Sequence, residues 1–139
     1  MSENKIIRVK DVMKKEFDVV NGLITVAEAL RAMKHTETKT LLVDKRNSED
    51  EFGMVLLSDI ARKVLARDKS PDRVNIYEIM TKPVMTVDPE MDIRYCARMF
   101  DRFGLSRAPV IEDGLLIGII SFTDMVIKGI LNSNNNTND

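Results

Sequence analysis

Cysteine and histidine are nearly absent from this sequence. Cys96 is the only cysteine and His35 the only histidine among its 139 residues. One cysteine forms no intramolecular disulfide, and a Cys/His zinc cluster needs several ligands at a recognisable spacing. Both kinds of structural cross-link are therefore excluded, and no metal site is expected.

Long apolar runs are missing as well. The longest stretches, such as Leu115 to Ile120, are far shorter than the roughly 20 residues of a membrane-spanning helix. The opening residues, Met1 to Lys5, reach charged side chains at once and lack the apolar core of a secretion signal. The sequence thus predicts no membrane insertion, and we expect a cytoplasmic location.

An excess of one charge sign is also missing. Lys and Arg number 21 against 22 Asp and Glu, and the two signs are mixed along the chain. Nucleic-acid-binding domains usually carry a basic excess or a basic stripe, so no nucleic-acid partner is expected. A hydrophobic fraction of 44% in 139 residues suits one globular domain, or two very small ones packed together.

What the sequence does contain is an internal repeat. Three short motifs of the first half recur in the second half, 65 to 68 residues later. They are Asp11-Val12-Met13 with Glu78-Ile79-Met80, Leu42-Val43-Asp44 with Val110-Ile111-Glu112, and Ser58-Asp59 with Thr123-Asp124. The offset changes because the first half carries a longer polar loop, Lys45 to Glu51, which is predicted to lie outside the core.

Each half is predicted to form a β-α-β-β-α unit. In the first half, Thr25 to Glu28 fits a capping box, and an apolar face repeats at helical spacing until about His35. Two strands follow, Thr40 to Asp44 and Phe52 to Leu57, and Ser58-Asp59 is predicted to cap the second helix.

The second half repeats this order. Asp92 is the predicted helix cap, and Gly104 is the predicted residue just beyond the helix end. The two strands are Pro109 to Ile111 and Leu115 to Ser121, joined by an Asp113-Gly114 turn.

The repeat sets the expected domain boundaries and the fold class. We expect a first repeat at residues 7–67, a polar linker at 68–75, a second repeat at 76–131 and a polar, disordered tail at 132–139. The fold class is α/β in the mixed, α+β sense, with the two units packed about a pseudo-twofold axis. Such packing creates clefts between equivalent elements, and interfaces of this kind are favoured ligand sites.

Four strings of the sequence carry a family resemblance. They are Val9-Lys10-Asp11-Val12-Met13, Ile76-Tyr77-Glu78-Ile79-Met80-Thr81, Arg107-Ala108-Pro109-Val110-Ile111 and Gly118-Ile119-Ile120-Ser121-Phe122-Thr123-Asp124. Each string is weak alone, but their order, repeated at near-constant spacing over about residues 7–131, resembles a tandem pair of CBS (cystathionine β-synthase type) domains. The resemblance implies a stand-alone Bateman module with up to two clefts for adenine nucleotides, commonly assembled as a dimer, with no catalysis by the module itself.

The resemblance implies a ligand role for Ser121, Thr123 and Asp124. In the family, a Ser/Thr-x-x-Asp pattern at this position holds a ribose. A carboxylate can accept hydrogen bonds from both vicinal hydroxyls, and a serine hydroxyl can bind a ribose or phosphate oxygen. The residues alone leave an alternative open, because Thr123 or Asp124 can simply start and cap the last helix. The two roles are compatible.

Two further segments correspond to ligand contacts of the family. Arg107, followed by Ala108 and Pro109, lies where residues near the ligand are found, and a guanidinium can hold a phosphate in a bidentate manner. A solvated arginine at a strand end is the alternative. The segment that lines the adenine in the family corresponds to Thr81, Lys82, Pro83 and Val84.

The first half departs from the family pattern. Asp59 is retained, but Leu56 occupies the position that corresponds to Ser121 and offers no hydrogen-bonding group. The counterparts of residues 81–84, Lys14 to Phe17, lack the proline. The first cleft is therefore expected either to bind weakly through Asp59 or to be empty.

The sequence leaves three functions to compare. The first is a regulatory sensor that binds AMP, ADP, ATP or S-adenosylmethionine, requires no cofactor, and changes its contacts within a homodimer or with an unidentified regulated protein. The second is a ligand-free scaffold for dimerisation, which Leu56 favours for one cleft. The third, an enzyme, is disfavoured, because His35 lies at a charged helix end and no glycine-rich phosphate loop is present.

Overall fold

The computed structural model describes residues 5–131, and within this range the predicted order of elements is found with one exception. The first strand expected in the second half is reduced to a single bridge between Val87 and Val110. The mixed α+β class is confirmed. The tail predicted at 132–139 lies outside the described residues. The helices are α1 (Val9–Val12), α2 (Val26–Ala32), α3 (Leu57–Lys63), α4 (Ile93–Phe103) and α5 (Phe122–Asp124), which continues as a π-helix (Met125–Leu131), and the strands are β1 (Asp18–Val20), β2 (Thr40–Val43), β3 (Gly53–Leu56), β4 (Arg107–Glu112) and β5 (Leu115–Ser121).

The chain divides into two compact units whose edges differ from those of the sequence repeats. The continuous unit spans Glu16–Val84, and the split unit combines the residues up to Lys15 with those from Met85 onward. The segment that opens each repeat therefore belongs to the unit formed by the body of the other repeat. The boundaries of 7–67 and 76–131 describe the repeat in the sequence, whereas the two units describe the packing.

The continuous unit is built on a three-stranded sheet. Strand β1 runs parallel to β2, and β2 runs antiparallel to β3, with Leu41 opposite Val55. Thr81 extends this sheet, because its backbone exchanges two hydrogen bonds of 2.9 and 3.0 Å with that of Met54. The helices and turns cover the sheet with an apolar cluster that includes Val26, Ala29, Leu41, Val55, Val64 and Ile76.

The split unit repeats the same frame. Strands β4 and β5 form an antiparallel pair, Val87 pairs with Val110 in parallel, and Lys14 pairs antiparallel with Ile119. The backbones of Lys14 and Ile119 exchange hydrogen bonds of 2.8 and 2.9 Å. The buried cluster beneath includes Val9, Val12, Ile93, Cys96, Phe100, Val110 and Ile120. Burial raises the pKa of the Cys96 thiol to about 11, so this thiol stays protonated and acts as an apolar core group.

Most of the predicted helix ends and turns are confirmed. Thr25 accepts a hydrogen bond from the Glu28 backbone while the Glu28 carboxylate accepts from the Thr25 N–H, which is the predicted capping box. Asp92 caps α4, and Gly104 ends it with a left-handed φ of 69°. The Asp113-Gly114 turn has positive φ at both residues, as a two-residue hairpin requires.

Helix α2 ends earlier than predicted. The apolar spacing predicted a helix to about His35, but α2 stops at Ala32. The carboxylate of Asp18 accepts hydrogen bonds from the backbone N–H groups of Lys34 and His35, at 2.9 and 2.8 Å. Because these two N–H groups donate to a side chain of β1 and not to carbonyl groups of α2, the helix does not continue through them. Within residues 5–131, no helix combines the length and the apolar content that crossing a membrane needs.

Candidate functional site

Ser121 and Asp124 form a buried pair where β5 leads into α5. The Ser121 hydroxyl donates to Asp124 Oδ2 at 2.9 Å and accepts from the Asp124 backbone N–H at 3.1 Å. Ser121 is therefore the residue that caps α5, and the helix begins at Phe122. The alternative in which Thr123 or Asp124 starts and caps this helix is wrong, because the Ser121 hydroxyl already binds the free backbone N–H group of Asp124.

Lys14 completes this cluster from the other end of the chain. Its Nζ donates to Asp124 Oδ1 at 2.5 Å, and Lys128 Nζ lies 3.9 Å from the same oxygen. Asp124 is only 3% exposed, so both of its carboxylate oxygens are engaged within a nearly closed environment. The backbone pairing of Lys14 with Ile119 on β5 places the lysine there.

Arg107 and its neighbours lie on the adjacent strand. In the β4–β5 ladder, Arg107 stands directly opposite Ser121. Ala108 and Pro109 continue β4 and are buried, while Thr123 is exposed on α5. The structure thus brings together six predicted site residues in the split unit: Arg107, Ala108, Pro109, Ser121, Thr123 and Asp124.

Asp59 occupies the corresponding position in the continuous unit, with different partners. Its Oδ2 accepts from the Leu56 backbone N–H at 2.9 Å, and its Oδ1 accepts from Arg62 at 2.7 Å. Asp59 therefore caps α3 from the third helical position, and Ser58, which was predicted to share the cap, is exposed. Leu56 has no side-chain acceptor, so the serine–aspartate pair of the split unit has no counterpart here.

The four residues predicted to line the adenine belong to the continuous unit, with Asp59. Thr81 pairs with Met54 on β3, and the Val84 N–H donates to the Phe52 carbonyl at 3.3 Å. Lys82 Nζ lies 2.8 Å from a buried carboxylate in the loop before β3, and the Lys82–Pro83 peptide bond is cis. The segment that takes the equivalent place in the split unit, next to Ser121 and Asp124, begins at Lys14.

The carboxylate beside Lys82 is Asp50, whose side chain is only 8% exposed. Lys82 and Arg46 both donate to it, at 2.8 and 3.1 Å, and these hydrogen bonds hold the pKa of Asp50 well below its ordinary value. The loop from Lys45 to Glu51 was predicted to lie outside the core. It does so except for Asp50, which anchors the loop to the segment that follows Thr81.

A cleft of about 430 Å³ opens next to Lys82 in the continuous unit. It lies where β1 and β2 end, at Val43, which pairs with Gly53, the first residue of β3. Asp59 comes after Leu56, the last residue of β3. The cleft is therefore at the opposite end of the sheet from Asp59. Its lining residues are Asn21, Gly22, Leu23, Val43, Asp44, Arg46, Tyr77, Met80 and Lys82. Among residues 5–131, no three His, Cys, Asp or Glu side chains are grouped so that they could hold a metal ion.

Comparison with known families gives one match that repeats. A family model described as CBS domain matches residues 9–66 and again residues 76–128. By sequence, an uncharacterized protein of Methanopyrus kandleri is 29% identical over 113 residues, which cover 78% of this chain and 57% of that protein. The chain spans between 43% and 62% of the length of the first three curated relatives that it matches.

Two solved structures are similar along almost the whole chain. The hexameric CBS-CP12 protein from bloom-forming cyanobacteria is 35% identical, with a TM-score of 0.86, over 92% of this chain and 74% of that one. The CBS domain pair of protein MJ0100, solved in complex with 5′-methylthioadenosine and S-adenosyl-L-methionine, is 25% identical. Its TM-score is 0.74, and the match covers 93% of this chain and 98% of that one.

Proposed function

Because this chain belongs to the CBS domain family, with both of its repeats matched, we propose that it is a regulatory module that binds an adenosine-containing ligand. The observation that carries the proposal is the buried Ser121–Asp124 pair at the end of β5, with Lys14 and Arg107 beside it. The adenosine ligands in the structure of the MJ0100 domain pair support the same class of ligand.

The proposed site uses the split unit. The Asp124 carboxylate would accept hydrogen bonds from the two ribose hydroxyls, and Arg107, opposite Ser121, would hold a phosphate if the ligand carries one. Asp124 is only 3% exposed and both of its oxygens have partners, so a ribose reaches this carboxylate only if Lys14 or Ser121 moves aside. Binding is thereby coupled to the position of the segment around Lys14.

We propose that the site at Asp124 dominates over the corresponding site at Asp59. The adenosine site expected around Asp59 in the continuous unit keeps this carboxylate, but Leu56 supplies no hydroxyl, and Asp59 is held by the Leu56 N–H and by Arg62. A ribose there would gain hydrogen bonds from one side chain instead of two. The expected stoichiometry is therefore one adenosine ligand per chain at low ligand concentration.

Calorimetric titration with AMP, ADP, ATP and S-adenosylmethionine tests the site. At least one of these ligands is expected to bind, and Asp124→Ala is expected to weaken it about a hundredfold, because two hydrogen bonds to a charged group are lost. Ser121→Ala should weaken it less, and Asp59→Ala by less than about threefold. The nucleotide is expected to be recovered unchanged, since the proposed role is not catalytic.

Three results would contradict this site. They are no binding to a folded sample, equal loss with Asp59→Ala and Asp124→Ala, and unchanged binding in a folded Asp124→Ala variant. Circular dichroism on each variant shows whether it is folded, and Ser121→Ala serves if Asp124→Ala is not. The first result would favour the scaffold, to which the engaged oxygens of Asp124 and Asp59 lend specific support.

We also propose that the chain self-associates. A relative that matches 92% of this chain is hexameric, and four apolar side chains in the last helix are about half exposed: Val126, Ile127, Ile130 and Leu131. Light scattering after size exclusion is expected to give a multiple of the mass of one chain. Ile130→Asp should lower that mass, whereas Leu65→Asp, at an exposed apolar position of the continuous unit, should not. A wild-type mass equal to one chain would contradict the proposal.

A further inference from the structure

We infer that the 430 Å³ cleft of the continuous unit is a second ligand site, which binds a small organic anion with an apolar or aromatic body. It lies at the end of the sheet away from Asp59, and its lining includes neither Asp59 nor Leu56. Of the four residues predicted to line the adenine, it contains only Lys82, whose ammonium group is bound to Asp50. The inference therefore concerns a site separate from the proposed adenosine clefts.

The walls of this cleft suit an apolar body. Val43 and Met80 line it together with two large side chains that are well exposed, Tyr77 at 50% and Leu23 at 71%. A volume of 430 Å³ lies within the range of about 300–1,000 Å³ for small-molecule clefts. A flat ring placed against Tyr77 would cover apolar surface that is now in contact with water.

The cleft is held open by backbone hydrogen bonds. The Tyr77 N–H donates to the Gly22 carbonyl and the Asp44 N–H to the Val20 carbonyl, each at 2.9 Å. Gly22 lies where these segments meet, because a Cβ there would come within 3.3 Å of Val43 and 3.6 Å of Tyr77. A cleft with fixed walls binds a ligand without the entropic cost of ordering its own segments.

The cations of the cleft outnumber the charge that pairs with them. Arg46 and Lys82 share a single carboxylate, that of Asp50. Arg46 reaches it only through Nε, and its two terminal amino groups donate no hydrogen bond to any residue among 5–131. Asp44 also lines the cleft, whereas Asp50 is not among the lining residues, so two cations and one carboxylate face the cleft. A free guanidinium fork favours a carboxylate or phosphate as the partner.

The same place in the split unit is built differently. The residues 67 positions from Tyr77 and Leu23 are Lys10 and Glu90, whose side chains form an ion pair of 2.8 Å. The loop that supplies Arg46 and Asp50 is also reduced there to the Asp113-Gly114 turn. Because the two units share one frame, the apolar wall and the cations are not requirements of the fold. These features are specific to one unit, as is expected of a binding site.

Nuclear magnetic resonance of the full chain, labelled with ¹⁵N, can locate such binding with simple probes. Benzoate and phenyl phosphate combine a ring with an anion, and they are expected to shift the amide signals of Gly22 and Tyr77 in a saturable manner. The comparison of the two separates carboxylate from phosphate recognition. Benzylammonium, which has the ring with the opposite charge, and inorganic phosphate, which has no ring, are expected to leave both signals in place.

Variants at exposed positions sharpen this test. Arg46→Gln is expected to weaken the better probe about tenfold, because a hydrogen bond between charged groups is lost. Tyr77→Ala should weaken it by a similar factor, and Arg67→Gln, an exposed arginine of the same unit outside the cleft, should not. The inference is overturned if neither anion shifts these signals, if benzylammonium does so equally, or if Arg46→Gln has no effect. The probes carry no ribose, so these results do not depend on the adenosine site.

Discussion

Replacing Lys14 by methionine is expected to tighten the binding of adenosine about tenfold, if adenosine binds at Asp124 as proposed. In the free chain, Lys14 Nζ occupies Asp124 Oδ1 at 2.5 Å. Because Asp124 is only 3% exposed, a ribose hydroxyl reaches this oxygen only if the lysine moves aside, and the hydrogen bond of the lysine is then lost. Methionine keeps the length and the apolar body of the side chain but removes the competing donor. The buried carboxylate then gains its missing partner only when the ligand arrives.

Comparing a ligand without phosphate and one with phosphate separates the competition between Lys14 and the ribose from the loss of a positive charge. Adenosine is neutral, so it shows the competition alone, whereas AMP also loses a nearby cation when Lys14 is replaced. The affinity for AMP is therefore expected to rise less than that for adenosine, or to fall. Isothermal titration of both ligands with Lys14→Met measures the difference. Lys15→Met is the matched control, since Lys15 is the exposed neighbour, and it should change neither affinity.

A weaker or unchanged affinity for adenosine in Lys14→Met would show that Lys14 does not compete with the ribose. If the wild-type chain binds too weakly to measure, Lys14→Met is expected to bring binding into range. Absence of binding in both would remove Asp124 as a ribose site. Each result therefore decides between a site that is gated by Lys14 and one that is not.

The elements of this fold could be predicted because their signals are local and occur twice. The Thr25 capping box, the Asp92 cap, the Gly104 helix end and the Asp113-Gly114 turn each depend on neighbours within a few residues. The repeat then doubles the weight of each signal. The end of α2 was predicted too late, because it depends on Asp18, a residue of another element.

Only the part of the site that is contiguous in sequence could be predicted. The pattern at Ser121 and Asp124 is local, but their partner Lys14 lies 110 residues from Asp124. In the sequence repeat, Lys14 corresponds to Thr81. In the structure, each of these two residues pairs with a strand of the other repeat, so Lys14 takes in the split unit the place that Thr81 takes in the continuous unit. Periodicity within a segment does not report which sheet the segment joins. The exchange of opening segments therefore became visible only in the structure.

The cleft near Tyr77 was not predicted at all. The loop before β3 reads as polar and solvated, and nothing local marks Asp50 as the residue that turns inward. Its partner Lys82 lies 32 residues further on, in the other repeat. Polar loops are ordinarily assigned to solvent. Only the pairing of Asp50 with Arg46 and Lys82 in the structure distinguishes this loop from an ordinary solvent-exposed connection.

Gly118→Ala is expected to lower the free energy of unfolding by about 2–3 kcal/mol, which corresponds to a melting temperature lower by roughly 5–10 °C. A Cβ at this position of β5 would lie 2.8 Å from the Lys14 carbonyl oxygen and 2.6 Å from the Met13 sulfur. The sulfur can move, but the carbonyl belongs to the backbone that pairs with Ile119. The substitution therefore forces the opening segment away from β5, and thermal unfolding followed by circular dichroism measures the loss.

Gly129→Ala is the matched control for this effect. A Cβ there would also meet an atom at 2.6 Å, but that atom is the terminal methyl group of Ile93, which can rotate away. Its cost is expected to stay below about 1 kcal/mol. Equal losses for the two variants would contradict the docking of the opening segment on β5. Because the opening segment carries Lys14, Gly118→Ala also moves this lysine away from Asp124, and the remaining folded protein is expected to bind adenosine more tightly, as Lys14→Met does.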